Sequence, residues 1–311
     1  MAGINRTTIL TGPALVTFGG QSFWSKGDVA LNFVPKLFGV ATSHFGEVDQ
    51  RVSDRMFEVS FEPAGRFTAA LAAVLWPYAA TSIGASIYGG TDRALVVWTR
   101  DGKKLTLVNA SVTGMPNIRL GVAQTIQGPV KFTGLLKNST DPSAAGAYYL
   151  LEDSAYPGDT GFAVSDIPTQ AYASAWGSSP WDAFFTEAGW EVSFGMQTRP
   201  QVVDSLGTVD MTLQGLTVSA KAIPVGPAVA DILSKVSPAA ALGNSVAAAA
   251  APLNISATGV YVRVYNAGIV DSGFVFGNEK KRLGPTEWRA TRTVTAGTPD
   301  PLFYVGTSAP A

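Results

Sequence analysis

One run of glycine and proline positions occurs twice in this chain, and it constrains the fold more than any other feature. At a separation of 161 residues, Gly46 matches Gly207 and Pro63 matches Pro224. Only eight positions of residues 27–77 are identical at this separation, so the identity count alone is weak support. Glycine and proline fix backbone geometry, however, and their recurrence in one order indicates a shared backbone path. Six of the eight identical positions make up the repeated run: Gly46, Val48, Asp49, Pro63, Gly65 and Pro77.

A second block repeats further along the chain. Residues 107–110 match residues 264–267, and residues 128–132 match residues 284–288. The separation falls to 157 and then to 156 residues, which puts a small deletion between the blocks, where a loop tolerates it best. A period of this length is far above that of solenoid repeats, so the sequence predicts two copies of one domain.

Composition and hydrophobic spacing indicate a mainly β chain. Thirty-three glycines, 19 prolines and only 14% charged residues favour a turn-rich β fold with much of its surface covered by other protein. Residues 56–61 and 190–194 alternate as half-buried strands do. From Phe67 the spacing becomes that of a short helix ending at Pro77, and the same pattern precedes Pro238.

We therefore expect two domains, at residues 1–160 and 161–311, each with several strands and one short helix. The boundary falls in a stretch rich in serine, glycine and proline. Next to the repeated strands, residues 35–45 and 196–206 are apolar but irregular in pattern. Such segments either pack over their own sheet or dock on a neighbouring subunit. Their candidate contact residues are Leu37, Phe38, Val40, Val202, Val203 and Leu206.

The residues that carry most catalytic and cofactor chemistry are missing from the sequence. There is no cysteine and one histidine, which excludes thiolate chemistry, disfavours zinc and leaves His44 as a loop residue. The repeated Asp49 and Asp210 fit a turn or capping role better than acid–base or calcium chemistry. We expect no cofactor, no metal and no enzymatic activity.

Charge and hydropathy limit the partners of the chain. A net charge of −1 with scattered Lys and Arg gives no electrostatic footprint for tight nucleic-acid binding. The first residues lack the pattern of a secretory signal, and no apolar run is long enough to span a bilayer, so we expect no membrane anchor.

The order of elements resembles the major tail proteins, or tail tube proteins, of long-tailed bacteriophages. The resemblance rests on the run from Phe57 to Gly65 that leads into a short helix ending at Pro77. The runs 187–194 and 207–210 in the second copy are similar to that family as well. It implies tandem β-sandwich or partial-barrel domains, each with one short flanking α-helix, that build stacked rings.

The resemblance also implies a function. A ring of this family usually takes one tube domain from each of six chains, so a chain with two domains would close a pseudo-hexameric ring as a trimer. The implied partners are other copies of this chain, a tape-measure protein and other tail proteins, with DNA only in transit through the lumen. The implied location is the virion tail, after assembly in the host cytoplasm. The six apolar residues then become candidate contacts between stacked rings.

Two other functions stay open at this stage. One is a tandem carbohydrate-binding module, which would expose Trp or Tyr on one sheet face in both copies. The other is a different part of a virion, such as a tail terminator, a baseplate hub or a capsid decoration protein. The sequence also leaves trimeric and hexameric rings as alternatives.

Overall fold

The computed structural model describes most of the chain and shows a mainly β fold. Among the described residues there is one short helix, and the sheets form a half-barrel. The predicted mainly β class is confirmed. The described residues are 14–64, 67–89, 91–121, 124–137, 141, 144–158, 172–178, 181–203, 206–225, 242, 245, 250–276, 281–292, 294–295 and 298–310.

The first half of the chain contains these elements: β1 Leu15–Phe18, β2 Gln21–Ser25, β3 Ala30–Thr42, β4 Gly46–Phe61, β5 Pro63–Ala64, α1 Ala69–Leu75, β6 Leu95–Trp98, β7 Lys103–Leu107, β8 Asn109–Gly114, β9 Asn117–Gly121, β10 Gln124–Gln127, β11 Val130–Leu135 and β12 Tyr149–Asp153. The second half contains these: β13 Tyr172–Trp176, β14 Phe185–Thr186, β15 Trp190–Val203, β16 Gly207–Ala222, β17 Pro224–Val225, β18 Ala251–Ala257, β19 Val260–Phe276, β20 Lys281–Ala290, β21 Val294–Thr295, β22 Thr298–Pro299 and β23 Phe303–Gly306.

Helix α1 lies where the sequence predicts it. Thr68 is the N-cap, and its hydroxyl oxygen accepts a 3.0 Å hydrogen bond from the Leu71 backbone N–H. Leu71 and Leu75 are buried, because residues four apart lie on one face of a helix. The helix ends just before Pro77, which has no N–H to continue it. The second predicted helix, which precedes Pro238, lies outside the described residues.

Alternating burial explains the strands nearest the core. Every second side chain is buried in residues 57–61 of β4, and the same holds for residues 216–222 of β16. The second half adds a core of tryptophans whose rings contact one another, with centroids 5.1 Å apart for Trp190 and Trp288 and 5.3 Å apart for Trp176 and Trp181. All four are buried, so aromatic packing stabilises this half.

Three larger sheets organise the described strands. One has the order β12-β7-β6-β1-β2-β5, and another has the order β3-β4-β11-β8. The largest has the order β10-β9-β15-β16-β20-β19-β18-β13, with β23 pairing beside it to β19. Because β9 and β10 belong to the first half of the sequence, this largest sheet joins the two halves.

The two long hairpins have the same strand register at the repeat separation. Ala30 pairs with Ser60 in the first hairpin, and Glu191 pairs with Lys221 in the second, 161 residues later. All thirteen residue pairs between β3 and β4 recur in this way between β15 and β16, together with both register shifts. A slip of one residue would turn every side chain to the opposite face, so this agreement supports the predicted duplication.

Most of the other pairings recur too, although the β1–β2 and β9–β15 pairs have no counterpart among the described strand pairs. The β1–β6 and β6–β7 pairs correspond to β13–β18 and β18–β19, and the β7–β12 pair corresponds to β19–β23. The β2–β5 and β4–β11 pairs correspond to β14–β17 and β16–β20. The domain limits at residues 1–160 and 161–311 are not fixed by these pairings and stay a prediction.

The structure corrects the sequence analysis at the segments predicted to be irregular. Residues 35–45 and 196–206 lie mainly within long strands, since β3 continues to Thr42 and β15 continues to Val203. Register shifts interrupt both hairpins, the first directly after Lys36. A bulge changes which face the following side chains point to, so the simple alternation that identifies a strand is lost there.

Three further stretches differ from what their own sequence pattern predicts. The short apolar run Leu15–Phe18 has the pattern of an edge strand but is the inner strand β1 between β6 and β2. Residues 104–111 have the pattern of one strand but divide between β7 and β8. Residues 260–266 and 273–277 have the pattern of two strands but are described as the single strand β19 as far as Phe276.

Candidate assembly surface

The six predicted contact residues lie on, or directly beside, the strands of two long hairpins. We call β3–β4 the first hairpin and β15–β16 the second hairpin. Their outer parts are residues 37–53 and the matching residues 198–214. These outer parts have the same strand register but very different surroundings.

A segment of the first half supports the outer part of the second hairpin. The Gly84 N–H donates to the Leu213 carbonyl at 2.7 Å, and the Leu213 N–H donates to the Ala85 carbonyl at 2.9 Å. The Ile87 N–H donates to the Met211 carbonyl at 2.9 Å. Leu213 and Met211 are buried. The outer part of β16 is therefore paired with backbone on both sides, with β15 on one side and this segment on the other.

A buried carboxylate fixes the turn of the second hairpin against the first hairpin. Asp54 is 5% exposed, and its Oδ1 accepts a 2.8 Å hydrogen bond from the Thr208 N–H. Its Oδ2 accepts a second hydrogen bond, from the Thr208 hydroxyl. The position that matches Asp54 in the second half is Gly215, so the repeat does not reproduce this carboxylate.

Glycine is required at the turn beside this carboxylate. Gly207 has a φ of 77°, in the left-handed region that favours glycine. A Cβ on Gly207 would lie 2.6 Å from Oδ1 of Asp54, whereas a Cβ on the matching Gly46 would meet nothing within 4 Å. The two turns share a backbone conformation, and as far as the described residues show, only the second is packed against another part of the chain.

The outer part of the first hairpin is bare among the described residues. All of its side chains are exposed except that of Val40, which is half-buried. Val52 is 47% exposed, whereas the matching Leu213 is 0% exposed. The large apolar side chains left exposed here are Leu37, Phe38, Phe45, Val48 and Val52.

Four of the six predicted contact residues lie around one cleft. The cleft has a volume of about 1070 Å³, and Phe38 lines it from the first hairpin. Val202, Val203 and Leu206 line it from the second hairpin. Leu37 lies on the first hairpin outside this cleft, as does Val40.

The inner ends of the two hairpins differ in a similar way. β15 pairs with β9 of the first half, Trp190 with Leu120 and Val192 with Ile118, and these four side chains are buried. The matching strand β3 pairs only with β4 among the described strands. A cleft of about 580 Å³ lies beside it, lined by Leu31 among others. The edge of β15 is thus covered within the chain, and that of β3 is not covered by any described strand.

The repeated aspartates accept hydrogen bonds from backbone, but not in the predicted turn or capping position. Asp49 Oδ1 accepts a 2.8 Å hydrogen bond from the Gln50 N–H. Asp210 Oδ1 accepts a 2.7 Å hydrogen bond from the Met211 N–H and another of 2.7 Å from the Ser86 hydroxyl. Both aspartates lie within strands rather than at a strand entrance.

Sequence reasoning missed the residues that join the two halves. Asp54 and Ser86 follow no motif, and their partners lie more than 100 positions away in the chain. One signal was present: Gly207 is a repeated glycine, and such positions often allow a close approach of another chain segment. The repeat itself does not identify Asp54, because its partner position is a glycine.

The titratable groups in the interior are structural. Burial raises the pKa of Tyr78 to about 12, and its hydroxyl donates to the Val112 carbonyl at 2.8 Å. Burial also raises the pKa of Tyr88 well above its usual range, and its hydroxyl donates to the Thr133 carbonyl. His44 lies in the exposed turn of the first hairpin. Among the described residues, no three acidic or histidine side chains are grouped as a metal site.

The comparisons with family models and curated proteins found no relative of this chain. No protein-family model matches the chain, and a search of curated proteins returns no match. Within the described part of the chain, no helix has the length and apolar character of a membrane-spanning segment.

Proposed function

We propose that this chain is a structural virion protein that assembles with copies of itself into stacked rings, which form the tail tube through which phage DNA is ejected. The observation that carries the self-assembly is the bare outer part of the first hairpin. In the second hairpin, the matching part of β16 pairs with residues 84–87 of the other half of the chain, whereas Val202 and Val203 of β15 stay exposed. The assignment to a tail tube comes from the family resemblance of the sequence.

In this proposal the first hairpin contacts a neighbouring ring. Leu37 and Phe38 are each at least 50% exposed, which is unusual for large apolar side chains next to each other on a strand. Burial of these side chains between rings would stabilise the assembly by about 25 cal/mol for each Å² of apolar surface removed from water. Val40, Val202, Val203 and Leu206 are the further contact candidates, and four of the six already share one cleft.

The composition supports a conduit for DNA. A wall that DNA slides along must not hold phosphates tightly, and the chain has a net charge of −1 without a basic stripe in its sequence. The proposed partners are other copies of the chain, a tape-measure protein and other tail proteins. DNA passes through the lumen without a specific site.

A carbohydrate-binding function is less well supported. Such a module would display tryptophan or tyrosine on one sheet face in both halves. Among the described tyrosine side chains only that of Tyr149, in the first half, is exposed. Trp24 and Trp98 are half-buried, and the other five tryptophans are buried. A tail terminator or a baseplate hub would use similar contacts but would not grow into an open-ended tube, so the products of assembly distinguish these functions.

Light scattering of the purified protein, with negative-stain images of the same peak, tests the proposal. We expect rings or tubes whose smallest closed species has three times the chain mass of 32.4 kDa. A species of six times that mass would still agree with a tube, but it would mean that only one domain of each chain forms the tube wall. A monomer that never associates would contradict the proposal.

The double variant Leu37→Asp/Phe38→Asp tests the role of the first hairpin. We expect soluble rings that no longer stack, because two buried carboxylates without partners oppose the contact. The matched control is Phe185→Asp, which puts a carboxylate on a 71% exposed aromatic residue outside both hairpins. Tubes of normal length from the double variant would show that the first hairpin does not join the rings.

A further inference from the structure

The contact between the two halves gives a template for a contact between two chains. In it, β9 of the first half pairs antiparallel with the inner end of β15 in the second half. Glu191 lies opposite Arg119, and Val192 lies opposite Ile118. Strand β9 also pairs with β10, so it lies between two strands.

The second half contains a counterpart of the β9–β10 hairpin. The end of β19 pairs with the start of β20, with Phe274 opposite Leu283 and Val275 opposite Arg282. These pairs match Asn117–Gln127 and Ile118–Ile126 of the β9–β10 hairpin at the separations of the second repeated block. In the described residues, the end of β19 pairs with β20 alone. Its other edge corresponds to the edge by which β9 covers β15.

The edge that would receive this counterpart is the inner end of β3. Ala30 matches Glu191, and Leu31 matches Val192, in strands of identical register. Val192 is 0% exposed beneath β9, whereas Leu31 is half-buried beside the 580 Å³ cleft. Among the described residues, the same backbone edge is thus closed in the second half of the chain and open in the first.

We propose that residues 274–276 of one chain pair antiparallel with the inner end of β3 of a second copy of this chain. The template fixes the register: Ala30 lies opposite Phe276, and Leu31 lies opposite Val275. Exposed strand edges bind other strands through their free backbone N–H and C=O groups, so the contact uses groups that the isolated chain leaves open. The inference rests on the proposed self-assembly and names the edges that carry it.

The contact determines the form of the assembly. The donor edge lies in the second half and the acceptor edge in the first, so the interface is heterologous and each chain has one free end of each kind. Repetition of a heterologous contact closes a ring or continues as a helix. Because the contact repeats the one between the halves, each half has equivalent neighbours on both sides, as a ring with two domains per chain requires.

Disulfide crosslinking tests the register directly, because the chain has no cysteine of its own. The two test variants are Ala30→Cys/Phe276→Cys and Leu31→Cys/Val275→Cys. Neighbouring antiparallel pairs alternate between wide and close spacing, so one of the two brings its Cβ atoms close enough for a disulfide. After oxidation we expect loss of the monomer band on non-reducing gels, with a ladder that ends at the closed ring.

Two control pairs use the template itself. Arg119→Cys/Glu191→Cys joins residues that face each other within one chain, so it should crosslink without a change in mass. Ala30→Cys/Arg119→Cys combines the open edge with the strand that already covers β15, so it should leave monomers. A mixture of the single variants Ala30→Cys and Phe276→Cys should yield dimers and nothing larger.

Hydrogen exchange of the unmodified chain gives a second measurement that needs no substitution. Amides of residues 29–33 should gain protection on assembly, whereas those of residues 190–194 should not change, because β9 already covers them. Equal changes in both segments would overturn the proposal.

The outcomes separate this contact from the proposed tube. Tubes without crosslinks in either test variant would overturn the strand contact but agree with the proposed tail tube. Crosslinked rings that never stack would support the strand contact and contradict the proposed tail tube. Crosslinks confined to single chains would show that β3 is covered by its own chain, and would overturn the contact. Protection, in monomers, of those amides of residues 29–33 that do not face β4 would overturn it as well.

Discussion

The first and second hairpins have one backbone design and two environments. Their thirteen residue pairs, their two register shifts and their glycine turns correspond along the whole length. In the second hairpin, backbone from residues 84–87 and the carboxylate of Asp54 hold the outer part of β16. In the first hairpin the matching surfaces are open among the described residues. The difference shows that two copies of a repeat can share a backbone conformation while segments outside the repeat decide which copy is buried.

The side chains have adapted to this difference. Leu213 is fully buried, and the matching Val52 is an exposed residue among charged neighbours such as Asp49 and Arg51, which form a 3.3 Å ion pair. Exposed ion pairs of this kind contribute little to stability.

Leu213→Ala and Val52→Ala test the comparison with the largest expected effect. Removing the buried Leu213 side chain should lower the free energy of unfolding by about 2–5 kcal/mol, because a cavity remains. Val52→Ala should change it by less than about 0.5 kcal/mol, as for most exposed positions. Chemical denaturation of the unassembled chain measures both. Equal costs would mean that the first hairpin is already covered in the isolated chain.

Asp54→Ala tests the link between β4 of the first hairpin and the turn of the second hairpin. It removes the acceptor of both Thr208 hydrogen bonds and should cost about 2 kcal/mol, since buried donors are left without partners. Asp49→Ala is the matched control. Asp49 accepts the same kind of 2.8 Å bond from the next residue's N–H but lies exposed on the first hairpin, so its loss should cost under about 1 kcal/mol.

A double-mutant cycle of Asp54→Ala with Thr208→Val then isolates the coupling between the two residues. If the combined cost equals the sum of the single costs, the two side chains do not stabilise the turn together.

The two turn glycines provide the smallest test. Gly46→Ala should cost about 1 kcal/mol, because an alanine resists the left-handed conformation and meets no other atoms. Gly207→Ala should cost more, because its Cβ also collides with the Asp54 carboxylate. Thermal unfolding of the two variants compares them. In the background of Asp54→Ala the excess cost at Gly207 should disappear, and its persistence would assign the cost to another neighbour.

Local chemistry made part of the fold predictable. The N-cap, helix α1 and its terminal proline follow from spacing and residue type over a few positions. The strand pattern of Met56–Phe61 and the turn glycines follow from equally local rules. The outer parts of the hairpins could not be recognised as strands from the sequence. The alternation of apolar and polar residues that identifies a strand changes phase at each bulge.

By itself, the sequence determined the β character of the chain, the helix and the repeated turn geometry, because backbone preferences and hydrophobic periodicity act between near neighbours. It also placed the apolar contact candidates, although it could not say which of them share a cleft. Only the tertiary structure decided which of two matching surfaces is covered. That outcome depends on Asp54, Ser86 and β9 reaching residues far along the chain, and pairings of this range leave no periodic signal in the sequence.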